Sequence, residues 1–145
     1  MTTQTPPATR AVATHEATVR TRRRARAVAV GAATLLPAAV WLPAYALGVR
    51  FVLTDSQGTA TISLPIVLAF SLLFGLLGWA SLALLERFTR RAPAWWTTLA
   101  AAVAALSLIP VLAEDATGGT KAALILIHLT VAAALIPLLR RTTAG

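Results

Sequence analysis

The chain has 145 residues, 57% of them hydrophobic, with a mean hydropathy of +0.75 and a net charge of +8. A soluble domain of this length leaves too much of its surface in water to hide so much apolar side chain, which excludes an ordinary globular fold. The lack of cysteine excludes disulfides, thiol catalysis and cysteine-based metal sites.

Residues 1–25 form a polar leader rich in Thr, Ala, Pro and Arg. With no apolar periodicity to pack, it is expected to be a disordered, basic, cytoplasmic segment. Arg20, Arg22, Arg23, Arg24 and Arg26 make a collar just before the first apolar run. Such a collar sets topology and attracts anionic lipid headgroups. No aromatic residue interleaves it to stack on bases, so no nucleic-acid partner is expected. His15-Glu16 does not begin a zinc-protease motif, because position 19 is Val where a second His is needed.

Four apolar runs follow, over residues 27–49, 62–85, 93–113 and 122–139, of 23, 24, 21 and 18 residues. Crossing a hydrocarbon core of roughly 30 Å takes about 20 such residues. In lipid each backbone amide must bond within its own segment, so each run is expected to be a helix. The first carries Pro37 and Pro43, which free the carbonyls of Ala33 and Ala39 and predict a kink. Thr21-Arg22-Arg23 has the form of a twin-arginine signal, and Ala44-Tyr45-Ala46 offers small residues to a signal peptidase. The apolar stretch exceeds the about 7–15 residues of a cleavable signal, so the span is expected to be retained.

Between the first two spans, Phe51-Val52-Leu53 and Thr59-Ala60-Thr61 flank a turn-rich stretch containing Gly58, and this connection is either a short hairpin or an irregular loop. Span two opens with Pro65, where a missing N–H costs little. Ser71, Gly75 and Gly78 then share a face that lets another helix approach closely, from the same chain or from a second copy. Glu86 and Arg90 have the spacing of a helix-end ion pair. Span three places Trp95 and Trp96 at an expected aromatic belt. Glu114 to Gly119 turns into span four, whose His128 is the one ionisable side chain well inside a run.

A residue of that kind is expected to face the bundle interior with a partner. Counting equal depths on the other spans, from the end nearest the Gly58 connection, groups His128, Ser107, Ser71 and Tyr45 as a candidate polar layer. Its role is either an interhelical hydrogen bond or a proton relay or ligand site. Gly118-Gly119-Thr120-Lys121 lacks the spacing of a phosphate loop, and no catalytic constellation, cofactor motif or metal-ligand set is visible.

Eleven basic residues fall before span one, between spans two and three, and after span four; only Arg50 and Lys121 lie in the other two connections. By the positive-inside rule both termini are cytoplasmic. The expected fold is all-α: an antiparallel transmembrane four-helix bundle over residues 26–141, with a short tail over 142–145, in a bacterial cytoplasmic membrane. The sequence further resembles an actinobacterial family of small four-helix membrane proteins of unknown function. Gly75-Leu76-Leu77-Gly78-Trp79 running into Leu84-Leu85-Glu86-Arg87 carries the resemblance, with Ile127-His128-Leu129 before Leu135-Ile136-Pro137. It covers Ala27 to Arg141 and implies four spans with the first retained; it implies no activity or ligand. The expected function is a non-enzymatic structural or regulatory interaction, with the bilayer and a membrane protein or second copy as partners. The alternative is a small oligomeric transporter or channel subunit using His128.

Overall fold

Among the described residues, four helices are long and apolar enough to cross a membrane, and they point to a multi-pass membrane protein. In the computed structural model, residues 7–56 and 58–143 are described. The elements are α1 (Pro7–Ala46), β1 (Val52–Asp55), β2 (Gly58–Thr61), α2 (Leu64–Phe88), α3 (Ala92–Leu106), α4 (Leu108–Ala113) and α5 (Gly118–Arg140).

The leader differs most from expectation. Residues 7–25 are not disordered but the first half of a single 40-residue helix that continues into the first span; residues 1–6 lie outside the described residues. Propagating an existing helix costs far less than nucleating one, and Ala and Arg are good helix formers. The helix runs through Pro37, which is fully buried, and Pro43, which lies in its last turn. It ends where Gly48 takes a φ of +90°, a region that side chains with a Cβ rarely enter.

Proline explains the second difference. Pro110 has no N–H for the carbonyl of Leu106, and the expected single third span divides at Ser107 into α3 and α4. Thr117 caps α5, its hydroxyl accepting from the Thr120 amide at 3.3 Å, so this helix begins at Gly118 rather than at residue 122. The first connection is a hairpin: β1 and β2 pair antiparallel, Val52 with Thr61 through Asp55 with Gly58. Thr54 also exchanges both backbone bonds with Asp115, tying the hairpin to the α4–α5 turn.

In the bundle, α1 packs against α2 and α5, and α3 closes the other side against the same two helices. Two apolar clusters fill the interior. One, toward the arginine-rich end, gathers Ala29, Val30, Ala33, Leu82, Trp96, Ala134, Leu135 and Leu139. The other, beneath the hairpin, gathers Trp41, Phe51, Val67, Val111, Ala123, Leu124 and Ile127. Gly75 and Gly78 allow the close approaches. A Cβ on Gly75 would meet Val30 of α1 at 3.1 Å, and one on Gly78 would meet Leu135 of α5 at 3.1 Å. The outward surface carries large apolar side chains such as Leu35, Phe70, Leu73, Leu77, Leu106 and Leu129, as a lipid-facing surface does.

Candidate functional site

Three polar arrangements stand out: one at each end of the bundle and one between the two clusters.

At the arginine-rich end, Arg26 is turned inward and is only 5% exposed. Its guanidinium donates from Nη2 to Glu86 Oε1 at 2.6 Å and from Nε to Thr142 Oγ1 at 3.0 Å. The Thr142 hydroxyl donates in turn to the carbonyl of Leu139 at 2.7 Å. Arg22, one turn earlier on α1, lies 3.9 Å from Glu86 Oε2. The network joins α1, the end of α2 and the residues after α5. Charge-assisted bonds of this kind are short and strong, and every polar atom of the Arg26–Thr142 pair that the network uses is matched. Sequence reasoning placed Arg22 and Arg26 at lipid headgroups, Glu86 with Arg90, and Thr142 in a passive tail. The fold instead gives Glu86 to α1, because α1 packs on α2 where the two helices meet. The available signal was that Glu86 is the one carboxylate near the end of a span beside the collar.

At the hairpin end, the Trp41 indole donates to the carbonyl of Ile62 at 3.2 Å and stacks on Tyr45 and Phe51, centroids 4.8 and 5.2 Å away. The Arg50 guanidinium lies 5.9 Å over the Tyr45 ring. Thr120, fully buried, donates its hydroxyl to the carbonyl of Arg50 at 2.7 Å. Lys121 reaches the carbonyl of Leu112 at 3.0 Å. The Trp41 and Thr120 bonds hold the hairpin on the bundle, and the Lys121 bond satisfies a carbonyl in the last turn of α4.

Between the clusters lie Pro37 on α1, Ser71 on α2 and His128 on α5. Pro37 separates Ala33 of one cluster from Trp41 of the other, and Ser71 lies between Val67 and Gly75. His128 stands between Ile127 and Val131, which pack into different clusters. Because α5 starts at Gly118, His128 is ten residues from that terminus, about 15 Å at 1.5 Å per residue, and therefore near the middle of the helix. The half-buried imidazole bonds through Nδ1 to the carbonyl of Leu124 at 2.8 Å. A carbonyl only accepts, so Nδ1 carries a proton.

The other two members of the expected layer lie elsewhere. Ser107 donates to the carbonyl of Ala104 at 2.7 Å at the α3–α4 break, and Tyr45 is 49% exposed in the hairpin-end stack. Among the described residues no hydrogen bond joins any two of His128, Ser107, Ser71 and Tyr45. Of the two tryptophans expected at the aromatic belt, Trp95 is 62% exposed, but Trp96 is buried and donates to the carbonyl of Gly78 at 2.9 Å and to Ser81 Oγ at 3.2 Å. Among the described residues no three His, Cys, Asp or Glu side chains come together as a metal site requires.

A family model described as a family of unknown function (DUF6069) matches residues 17–145. No curated protein and no solved structure matches the chain.

Proposed function

The chain belongs to the DUF6069 family of unknown function, and from that premise we propose a non-enzymatic structural or regulatory subunit of a bacterial cytoplasmic membrane. The four spans run antiparallel, with both termini on the cytoplasmic side. The observation that carries the reading is α1: one helix continues for 19 residues beyond Arg26, about 28 Å at 1.5 Å per residue, and Glu86 clamps its base. A helix continuous with a membrane span and fixed at its foot is suited to presenting a contact surface above the bilayer. The membrane placement is supported by the arginine distribution and by the apolar surface around the bundle.

A second reading, a small oligomeric transporter or channel subunit, draws on His128. With Nδ1 bonded to the Leu124 carbonyl, Nε2 is the ring nitrogen left to meet another group, near mid-helix. Polar side chains at that depth are enriched at transport pathways.

Reconstituted proteoliposomes separate the two. The interaction reading expects no ion or proton flux above that of empty vesicles, together with a defined complex in native membranes that deletion of residues 7–19 removes. A pH-dependent flux that His128→Ala abolishes would overturn it in favour of transport. Orientation is checked by single cysteines in this cysteine-free chain. An impermeant maleimide is expected to label Ser56→Cys in intact cells and Ala17→Cys only after permeabilisation; the opposite pattern refutes the topology.

A further inference from the structure

The arginines at the foot of α1 are sorted by face. Arg22 and Arg26, four residues apart, turn toward Glu86. At 100° per residue Arg20, Arg23 and Arg24 fall on a different face, and all three are exposed. The bond from Arg26 to Thr142 brings the end of α5 alongside this foot. Two further exposed arginines, Arg140 and Arg141, immediately precede Thr142. Among the described residues none of these five guanidiniums has an ion pair, and the one nearby carboxylate at the bundle's end, Glu86, is occupied. Glu16 is exposed one turn further along α1 from Arg20.

We propose that Arg20, Arg23 and Arg24 of α1, with Arg140 and Arg141 after α5, form a binding site for a phospholipid of net negative headgroup charge. Three observations favour this occupant. Guanidinium is the group at all five positions, and its fork matches phosphate oxygens in pairs where an ammonium offers a point charge. Three of the arginines precede the first apolar turn of α1 and two follow the last apolar turn of α5, its neighbour at this end, where a lipid with its tails on the bundle holds its phosphate. The Arg26–Glu86–Thr142 network fixes the two helix ends relative to one another, so ordering the site costs little when the lipid binds. The inference rests on the placement of the arginine-rich end at a membrane surface.

Native mass spectrometry of the detergent-purified protein with added phosphatidylglycerol or phosphatidylcholine tests it. Each surface cation contributes about fivefold to anionic-lipid attraction. Wild-type protein is therefore expected to retain phosphatidylglycerol about tenfold or more over phosphatidylcholine, and R20Q/R23Q/R24Q is expected to lose most of that preference. R140Q/R141Q and R90Q/R91Q remove equal charge, and only the first is expected to weaken retention clearly. Equal retention of the two lipids by wild type overturns the proposal, as does equal loss in both double variants. Displacement of phosphatidylglycerol by a short RNA at equal concentration overturns it too, in favour of a soluble polyanion. Circular dichroism confirms that each variant keeps its helices. Insertion of wild-type protein into nanodiscs of phosphatidylcholine alone is scored separately, so failure of the lipid site is distinguishable from failure of the membrane placement.

Discussion

Replacing Glu86 by alanine should be among the most damaging single changes at the arginine-rich end. The substitution removes the acceptor of a 2.6 Å bond and leaves the Arg26 guanidinium, whose side chain is 7% exposed, without a counter-charge. Breaking one side of a fully buried pair costs about 3–5 kcal/mol. Glu86 is 22% exposed, so water partly replaces it, and the expected loss falls to about 2–3 kcal/mol. The Arg22 contact, at 3.9 Å and 34% exposed, adds under about 1 kcal/mol. Arg26→Met leaves Glu86 near Arg22 and solvent and should cost less, about 1–2 kcal/mol. The double variant should be little worse than Arg26→Met alone, because the orphaned charge is gone. Denaturing-detergent titration followed by circular dichroism measures all three. A loss below about 0.5 kcal/mol for Glu86→Ala, or strict additivity in the double variant, refutes a coupled buried pair.

Packing and the remaining hydrogen bonds yield further tests in the same titration. Gly78→Val adds bulk where even a Cβ would stand 3.1 Å from Leu135 Cδ2, with Leu139 and Trp96 at 3.8 Å; the overpacking should cost about 1–3 kcal/mol, and a neutral result contradicts the close approach. Trp96→Phe keeps an aromatic ring but loses the bonds to Gly78 and Ser81 together with the buried pyrrole half of the indole, and should cost more than the about 0.6–1.7 kcal/mol of such bonds in membrane bundles; a smaller loss contradicts the buried placement. Thr120→Val is nearly isosteric and removes the bond to the Arg50 carbonyl. It should cost about 1–2 kcal/mol and speed proteolysis between residues 50 and 61; unchanged cleavage refutes the anchoring role.

How far the fold was legible depended on what each residue type contrasts with. Spans two and four were visible as uninterrupted apolar runs because water on either side of a bilayer ends a run. The hairpin was one of two open readings of the Gly58 connection, and Pro65 marked a helix start through its missing N–H; the division at Ser107, where Pro110 leaves the Leu106 carbonyl without its N–H, lies inside a run that hydropathy shows as continuous. The inward faces were much less visible. In a soluble helix, polar residues mark the outside, whereas lipid is as apolar as a core, so Leu82 and Leu84 look alike although the first is fully buried and the second 56% exposed. Trp96 was therefore placed at the aromatic belt with Trp95, one position and 100° away. Hydropathy starts span four at Ala122, whereas the Thr117 cap and two glycines carry the helix a full turn further, so His128 lies nearer mid-helix than the apolar run alone puts it. Arg26, Glu86 and Thr142 are separated by 60 and 116 residues, and no local pattern links them.

That same loss of contrast gives the buried network its physical sense. When inward and outward faces are equally apolar, burial hardly discriminates between rotations of α1 about its own axis. Small residues on facing helices permit close contact but tolerate several rotations. A guanidinium that must meet one carboxylate on α2 and one hydroxyl beyond α5 tolerates essentially one. Turning α1 by a single residue, 100°, would carry Arg26 away from both partners and bring Ala25 or Ala27 in its place, leaving Glu86 at the bundle's end without its closest bond. Arg26 thus acts as a register pin, a role attested for single buried polar groups in helical assemblies. The pin also decides which arginines of the collar remain outside. Glu86, by taking Arg22 and Arg26, leaves Arg20, Arg23 and Arg24 on the exposed face, which is the face assigned to a headgroup in the lipid-site proposal.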